Sequence, residues 1–179
     1  LECRTLLELG ESYPGDPGVL AAVLLNRVVL QPGEAIFLPA GNLHTYLRGT
    51  GVEVLANSDN VLRGGLTPKH VDVPELLRVL DFGYGDMPVT TGEPVGARHV
   101  YRTDAPEFEL SRLEWTSDVD PVTLPGGTPR ILVTIDGAVS SGDLTVGRGQ
   151  SVWVPASDPD LVLTPEGTGT RAFVATPGV

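Results

Sequence analysis

Sulfur and lysine are scarce in this sequence. The 179 residues include one cysteine, Cys3, and one lysine, Lys69. A lone cysteine excludes an internal disulfide and a CxxC zinc motif, and it favours a reducing compartment, which we expect to be the cytoplasm. No apolar run approaches the roughly 20 residues that cross a bilayer, and charges occur where a signal peptide would be apolar. The sequence therefore predicts neither a disulfide-stabilised domain nor a membrane protein.

Positive charge is also in short supply. The formal net charge is -11, from 23 Asp and Glu residues against 12 Lys and Arg residues. Because such a field repels a polyanion, nucleic acid is excluded as the expected partner. Hydrophobic residues make up 41% of the chain, which is enough to build a core and argues against disorder.

Three segments have helical character. The first precedes Gly10, and the second runs from Pro17 to about Leu25 with Asp16 as its N-cap. The third follows Asp72, which would cap it. All three are short, so helices alone do not account for the fold.

Strand-like runs dominate the rest of the chain. Short β-branched or aromatic runs, separated by Gly and Pro turns, occupy 27–57 and recur from 105 onward. We expect a mainly β fold with short helices, a jelly roll or small barrel, divided into residues 1–90, a linker at 91–104 and a second β domain at 105–179. Both tryptophans, Trp115 and Trp153, are predicted to lie in the core of the second domain.

An internal repeat links the two β regions. The segment GEAIFLPAGNLHTYL from Gly33 aligns with GQSVWVPASDPDLVL from Gly149, and Asp160 of the second copy stands where the first has His44. The spacing from Pro-Gly to Pro and then to His resembles the second motif of cupin jelly rolls, in which that His is a metal ligand. We assign no metal to Asp160, because no histidine lies near it.

His44 lies in an alternating segment. Strand alternation would place His44, Tyr46 and Arg48 on one face, either inside a wet cavity or at a solvent-facing edge. From alternation alone, a metal ligand and a hydrogen-bonded structural histidine remain equally open. The cupin-like spacing favours the ligand.

The loop ANSDNVLRGGLTPKH is the most specific segment of the chain. Its glycine pair, Gly64-Gly65, would let the backbone approach a ligand closely, and Arg63 and Lys69 could hold an anion. The alternative is an ordinary surface loop with a weak ion pair. The block from Gly33 to Phe82 favours the ligand site, because it resembles the C-terminal half of the catalytic domain of type I mannose-6-phosphate isomerases, which are zinc enzymes of carbohydrate metabolism in the cupin superfamily.

The resemblance implies an aldose–ketose isomerase that interconverts mannose 6-phosphate and fructose 6-phosphate. Catalysis would polarise a carbonyl with zinc, stabilise the negative charge of an enediolate with arginine, and hold the phosphate remote from the reacting carbons. It implies these roles: His44 as a zinc ligand, Arg63 and Asp59 in catalysis, and Lys69, Tyr46 and Glu53 in substrate binding.

The zinc site departs from the family pattern. The Gln-x-His pair that supplies further ligands is absent, since the only glutamines are Gln31 and Gln150. We therefore expect this chain to be the C-terminal part of a longer isomerase, completed by an N-terminal segment or another chain, and the chain alone to lack activity. A metal-free cupin module that binds a sugar or protein partner is the alternative. A cupin oxygenase is less favoured, because it needs two or more histidine ligands.

Overall fold

The computed structural model describes residues 2–58, 60–117 and 120–178 of the chain. They form two compact units that alternate along the sequence. The first unit comprises Leu1–Leu30, Ile36–Thr50 and Ser58–Pro88, and the second comprises Gln31–Ala35, Gly51–Asn57 and Val89–Val179. The three helices belong to the first unit, and nearly all of the strand belongs to the second.

The predicted helices are confirmed. They are α1 (Glu2–Ser12), α2 (Gly18–Ala21), which continues into a 3-10 turn (Ala22–Leu24), and α3 (Val73–Val79). Over the residues that the structure describes, none of them has the length and apolar character needed to cross a bilayer.

Local signals account for α3. The side chain of Asp72 caps the helix by accepting a 3.1 Å hydrogen bond from the backbone N–H of Glu75, and Pro74 stands in the first turn. Arg78 lies one turn further on and donates a 2.8 Å hydrogen bond from Nε to the Glu75 carboxylate. That hydrogen bond lowers the pKa of Glu75.

The strands predicted between 27 and 57 are largely wrong. In that range only β1 (Ala35–Ile36) is a strand, and the segment that contains His44 belongs to no sheet. Alternation predicts an extended backbone, but a strand also needs a neighbour to complete its hydrogen-bond ladder. Alternation in 27–57 therefore does not specify a neighbouring strand with which this segment could pair.

The second unit is an antiparallel β structure. The strands after β1 are β2 (Val89–Thr90), β3 (Glu93–Val95), β4 (Arg98–Tyr101), β5 (Glu109–Trp115), β6 (Val122–Leu124), β7 (Arg130–Asp136), β8 (Ala138–Ser141), β9 (Leu144–Gly147), β10 (Ser151–Val154), β11 (Leu161–Pro165) and β12 (Thr170–Thr176). The larger of its two main sheets has the strand order β10-β7-β12-β5-β4-β3, and the smaller has the order β6-β11-β8-β9, while β1 pairs with β2. The long central strand β12 pairs with β5 in continuous register from Thr170 opposite Trp115 to Thr176 opposite Glu109.

Both sheets contribute to one core. Alternate residues of β5, β7 and β12 meet side chains from the second sheet, so the unit is a sandwich with a filled interior. Each buried Leu or Val contributes about 1.5–3 kcal/mol relative to an exposed position. The core cluster consists of Leu113, Trp115, Val122, Leu124, Leu132, Val139, Val146, Leu163, Ala172 and Val174.

The two tryptophans behave differently. Trp115 is 5% exposed, as predicted, and its indole N–H donates a 3.0 Å hydrogen bond to the carbonyl of Asp120. Trp153 is 60% exposed, so its predicted core position is wrong. Val152 and Val154 flank it on β10 and take the inward positions, because alternate residues of a strand point to opposite faces.

The predicted linker at 91–104 contains two strands, β3 and β4, of the larger sheet. Val100 and Tyr101 in β4 are buried. The strand RHVY was not predicted, because the Gly, Pro and Thr residues around this short run are typical of a linker. The division into domains at 1–90 and 105–179 stays a prediction, but β3 and β4 belong to the larger sheet and not to a linker.

The two copies of the internal repeat begin with the same turn. Gly33 and Gly149 both have a positive φ, +89° and +77°. In each copy, the residue after the glycine accepts a hydrogen bond on its side chain from the backbone N–H three residues earlier: Glu34 from Gln31 at 2.7 Å, and Gln150 from Gly147 at 2.8 Å. At this turn, the two copies of the repeat therefore share the same backbone structure as well as a similar sequence.

Apolar burial differs between the units. Within the described residues, every buried apolar side chain belongs to the second unit. The first unit instead exposes large apolar side chains, including Leu20 at 72%, Leu24 at 87% and Phe82 at 70%. An unburied apolar surface of this kind is typical of a surface that packs against another chain segment.

Candidate functional site

The imidazole of His44 is exposed and oriented by its own loop. Its Nδ1 lies 3.1 Å from the carbonyl oxygen of Asn42. When Nδ1 carries the proton and donates to that carbonyl, Nε2 is left as the acceptor, which is the arrangement found in metal-binding histidines. The ring of Tyr46 stands edge-on to it, with centroids 6.2 Å apart and planes at 75°.

His44 lines a small cavity of the first unit. The cavity has a volume of about 60 Å3, and its lining includes His44 and the Gly64–Leu66 turn. It has room for a few water molecules, but sites for metabolites are commonly 300 Å3 or more. The remaining lining residues are Gly18, Ala21, Ala22, Leu25, Leu43 and Thr45.

Asp16 joins the start of α2 to the Gly64–Leu66 turn. Its Oδ1 accepts a 2.7 Å hydrogen bond from the backbone N–H of Gly18, and its Oδ2 accepts a 2.8 Å hydrogen bond from the backbone N–H of Leu66. The residue was predicted as the N-cap of the second helix. The structure instead has Pro17 at the N-cap, and the Asp16 carboxylate bridges two segments 50 residues apart in sequence.

Glycines allow this close approach. A Cβ on Gly18 would lie 3.0 Å from the backbone nitrogen of Leu66, and a Cβ on Gly65 would lie 2.9 Å from the Cα of Gly18. A Cβ on Gly64 would overlap the side chain of Leu43, the residue before His44. The glycine pair therefore packs the loop against protein backbone and side chain, which differs from the ligand approach predicted from the sequence.

Arg63 and Lys69 flank this turn. Both are exposed, and the backbone N–H of Lys69 donates a 3.2 Å hydrogen bond to the Thr67 hydroxyl. Gly64, Gly65 and Leu66 line the cavity that His44 also lines, whereas Arg63 and Lys69 are not among its described lining residues. Both side chains carry the N–H donors that an anionic ligand would need.

The other predicted site residues are Tyr46, Glu53 and Asp59, and neither Tyr46 nor Glu53 is among the described residues that line the cavity. Tyr46 is 74% exposed next to His44. Glu53 belongs to the second unit. Asp59 lies outside the described residues.

The donor set for zinc is incomplete. The described residues contain no group of three or more His, Cys, Asp or Glu side chains that could hold a metal ion. Zinc in proteins takes at least three such ligands. His44 fits as one ligand, but the residues described do not form a zinc site by themselves.

In the second copy of the repeat, the counterpart of His44 has a structural contact. Asp160 accepts a 2.9 Å hydrogen bond on Oδ1 from the backbone N–H of Gly126. This contact ties two loops of the second unit together.

The sandwich of two antiparallel sheets with its repeated glycine turn defines a mainly β, cupin-type fold. Over nearly its whole length, the chain is similar to mannose-6-phosphate isomerases, as the sequence motifs predicted. It is 35% identical over 176 residues to the enzyme of Escherichia coli strain K12, and the aligned region covers 95% of this chain and 44% of the relative. It is 37% identical over 180 residues to mannose-6-phosphate isomerase 2 of Arabidopsis thaliana, covering 96% and 40%.

Solved structures give the same result. The mannose 6-phosphate isomerase of Salmonella typhimurium bound to its substrate fructose 6-phosphate and to zinc matches with a TM-score of 0.82 and 32% identity, over 98% of this chain and 45% of that one. No protein-family model matches the chain. The chain thus spans less than half the length of the relatives it matches.

Proposed function

We propose that this chain supplies part of the active site of a zinc-dependent aldose–ketose isomerase that interconverts mannose 6-phosphate and fructose 6-phosphate. One observation carries the proposal: His44 and the turn between Arg63 and Lys69 line or adjoin the same cavity of the first unit. The metal-ligand candidate thus lines the same cavity as the turn that separates the two cations in sequence, within a chain similar to such isomerases over 95% of its length.

The proposed roles follow from the charge that the reaction develops. Moving a proton between adjacent carbons passes through an enediolate, so the site needs fixed positive charge and a group that handles the proton. The guanidinium of Arg63 would stabilise the enediolate with its positive charge and its N–H donors, with Asp59 as a second catalytic group. Lys69 would bind the phosphate and Tyr46 would contact the sugar, while a substrate-binding role of Glu53 stays a prediction from the sequence.

His44 would be one zinc ligand. The other ligands would come from residues beyond those described, on a further segment or another chain. The exposed apolar side chains of the first unit, such as Leu24 and Phe82, support this arrangement, because they offer a surface for such a segment to bury.

The test is an isomerase assay of the complete protein with fructose 6-phosphate. Arg63→Ala should lower kcat by about 100-fold or more with a smaller change in KM, since its interaction strengthens in the transition state. Arg78→Ala is the matched control, because Arg78 is an exposed arginine of the same unit whose ion pair with Glu75 lies on α3. An inactive parent protein, or equal losses in both variants, would contradict the proposal.

A metal-free cupin module that binds a sugar or a protein partner without catalysis is the second candidate. The incomplete donor set of the described residues favours it, because they hold no group that could bind a metal by itself. Calorimetric binding of fructose 6-phosphate to a zinc-free, inactive protein would support this candidate against the isomerase.

A further inference from the structure

We propose that Asp16 is a positioning residue that holds the segment from Arg63 to Lys69 in its working conformation. The inference rests on the proposed function for the roles of those two cations. The bridge itself rests only on the contacts of Asp16 with Gly18 and Leu66.

Both carboxylate oxygens of Asp16 are used. Oδ1 accepts from the N–H of Gly18 at 2.7 Å, and Oδ2 accepts from the N–H of Leu66 at 2.8 Å. These are charge-assisted hydrogen bonds, which are shorter and stronger than bonds between neutral groups. A carboxylate is the side chain that can accept from two N–H groups on opposite oxygens, whereas an amide has one acceptor oxygen.

The Leu66 end of the bridge holds an uncommon backbone conformation. Leu66 has φ +53°, and within the described residues it is the only residue other than glycine with a positive φ. Gly65 before it has φ +129°. A residue with a side chain adopts such a φ at an energetic cost and stays there when its surroundings impose it. The bond from the Leu66 N–H to Asp16 is one such restraint.

The bridge leaves little room for movement. A Cβ on Gly65 would be 3.0 Å from Asp16 Oδ1 and 2.9 Å from Gly18 Cα. The two backbones are therefore in direct contact, and the carboxylate fixes their spacing. Arg63 precedes Leu66 by three residues and Lys69 follows it by three, so a displaced turn would move both cations together.

A role as a plain helix cap would give a different outcome. A cap would stabilise α2, which has four residues, through the bond to Gly18 alone. Positioning requires the second bond, to Leu66. The substitution Asp16→Asn offers one acceptor oxygen to the two N–H groups, so the bridge is lost at one end, and hydrogen exchange of the Gly18 and Leu66 amides shows which end.

The experiment compares four forms of the complete protein: the parent, Asp16→Asn, Gly18→Ala and Asp72→Asn. Asp72→Asn is the matched control, because Asp72 caps α3 of the same unit through a single bond to the N–H of Glu75. Gly18→Ala disrupts the bridge at its other end, since the added Cβ would lie 2.9 Å from Asp16 Oδ1 and 3.0 Å from the backbone nitrogen of Leu66. Hydrogen exchange of the Gly18 and Leu66 amides and isomerase kinetics are measured for each form.

We expect Asp16→Asn and Gly18→Ala to speed exchange of the Leu66 amide by about tenfold or more. Exchange of the buried Val174 amide on β12 should not change, which separates loop release from global unfolding. In the same two variants kcat should fall and KM for fructose 6-phosphate should rise, because both cations shift. Asp72→Asn should change the Leu66 exchange and both kinetic constants by less than about twofold.

Parent-like exchange of the Leu66 amide in Asp16→Asn would overturn the proposal. Kinetic losses in Asp72→Asn as large as those in Asp16→Asn would also overturn it, because the effect would then follow general stability. A parent protein without isomerase turnover would refute the proposed function instead, while the exchange data would still decide whether Asp16 holds the turn.

Discussion

The hydroxyl of Tyr101 on β4 donates a 2.9 Å hydrogen bond to the carbonyl oxygen of Gly33, 68 residues earlier in the chain. The tyrosine is 5% exposed, and the contact ties the first turn of the internal repeat to the larger sheet of the second unit. Arg112 of β5 lies against the same glycine. This anchor yields two predictions that do not depend on catalysis.

Tyr101→Phe should destabilise the protein by about 1 kcal/mol at pH 8, because it leaves the Gly33 carbonyl without this donor. Tyr84→Phe is the control, since Tyr84 is fully exposed. Urea unfolding of both variants and the parent measures the difference. Equal stabilities of the two variants would contradict the anchoring role.

The contribution of Tyr101 should depend on pH. Burial raises the pKa of Tyr101 above its ordinary value of 10.0, although the charge of Arg112 opposes the shift. Because the folded state favours the neutral hydroxyl, the stabilisation is complete below pH 10 and is lost as the pH rises through the raised pKa. The stability gap between the parent and Tyr101→Phe should therefore narrow above pH 10. A gap that widens there would be inconsistent with a buried, neutral tyrosine.

The repeated turn offers a matched pair of glycines. Gly33→Ala should destabilise the protein by about 2–3 kcal/mol, because its φ is +89° and its Cβ would overlap the guanidinium of Arg112. Gly149→Ala should cost about 1 kcal/mol, since φ is +77° but no atom lies within 4 Å of its Cβ. Thermal or urea unfolding decides between them, and a larger loss at Gly149 would refute the packing argument.

Arg130 is a buried arginine held by backbone carbonyls. Its Nη1 donates to the carbonyls of Leu124 at 2.8 Å and Pro125 at 2.6 Å, and the residue is 2% exposed. Arg130→Met should destabilise the protein by about 2–4 kcal/mol, because those acceptors lose their donor. Arg148→Met, at a side chain 78% exposed, should cost less than about 0.5 kcal/mol. Similar losses in the two variants would show that the buried contacts add nothing.

His44→Ala should reduce the zinc content of the complete protein, because the variant removes an imidazole ligand. His70→Ala is the control, since His70 is exposed and was not assigned to the site. Elemental analysis after purification without chelator provides the measurement. Unchanged zinc in His44→Ala would reject its role as a ligand.

Local signals predicted some of this structure well. Asp72 and Pro74 located the start of α3, and β-branched alternation located β5, β7 and β12. In each case the cause lies within a few residues of the chain: a capping side chain, a preset φ or a period of two. Alternation could not choose the inward face of β10, because Val152, Trp153 and Val154 are all apolar.

The candidate site was only partly predictable. The motifs predicted His44, Arg63 and Lys69 as site residues, and the structure shows that His44 and the Gly64–Leu66 turn line one cavity. The part played by Asp16 was missed. Its partner Leu66 is 50 residues away, and no local pattern connects them.

By itself, the sequence determined the short helices, most strands of the second unit, the internal repeat and the similarity to mannose-6-phosphate isomerases, because each is encoded in residues that are close together or in motif spacing. Only the tertiary structure decided that the Asp16 carboxylate accepts a hydrogen bond from the Leu66 N–H, that Tyr101 and Arg112 contact Gly33, and that 27–57 contains hardly any strand. Those outcomes depend on which distant backbone groups find a partner, and a pattern of neighbouring residues does not specify such partners.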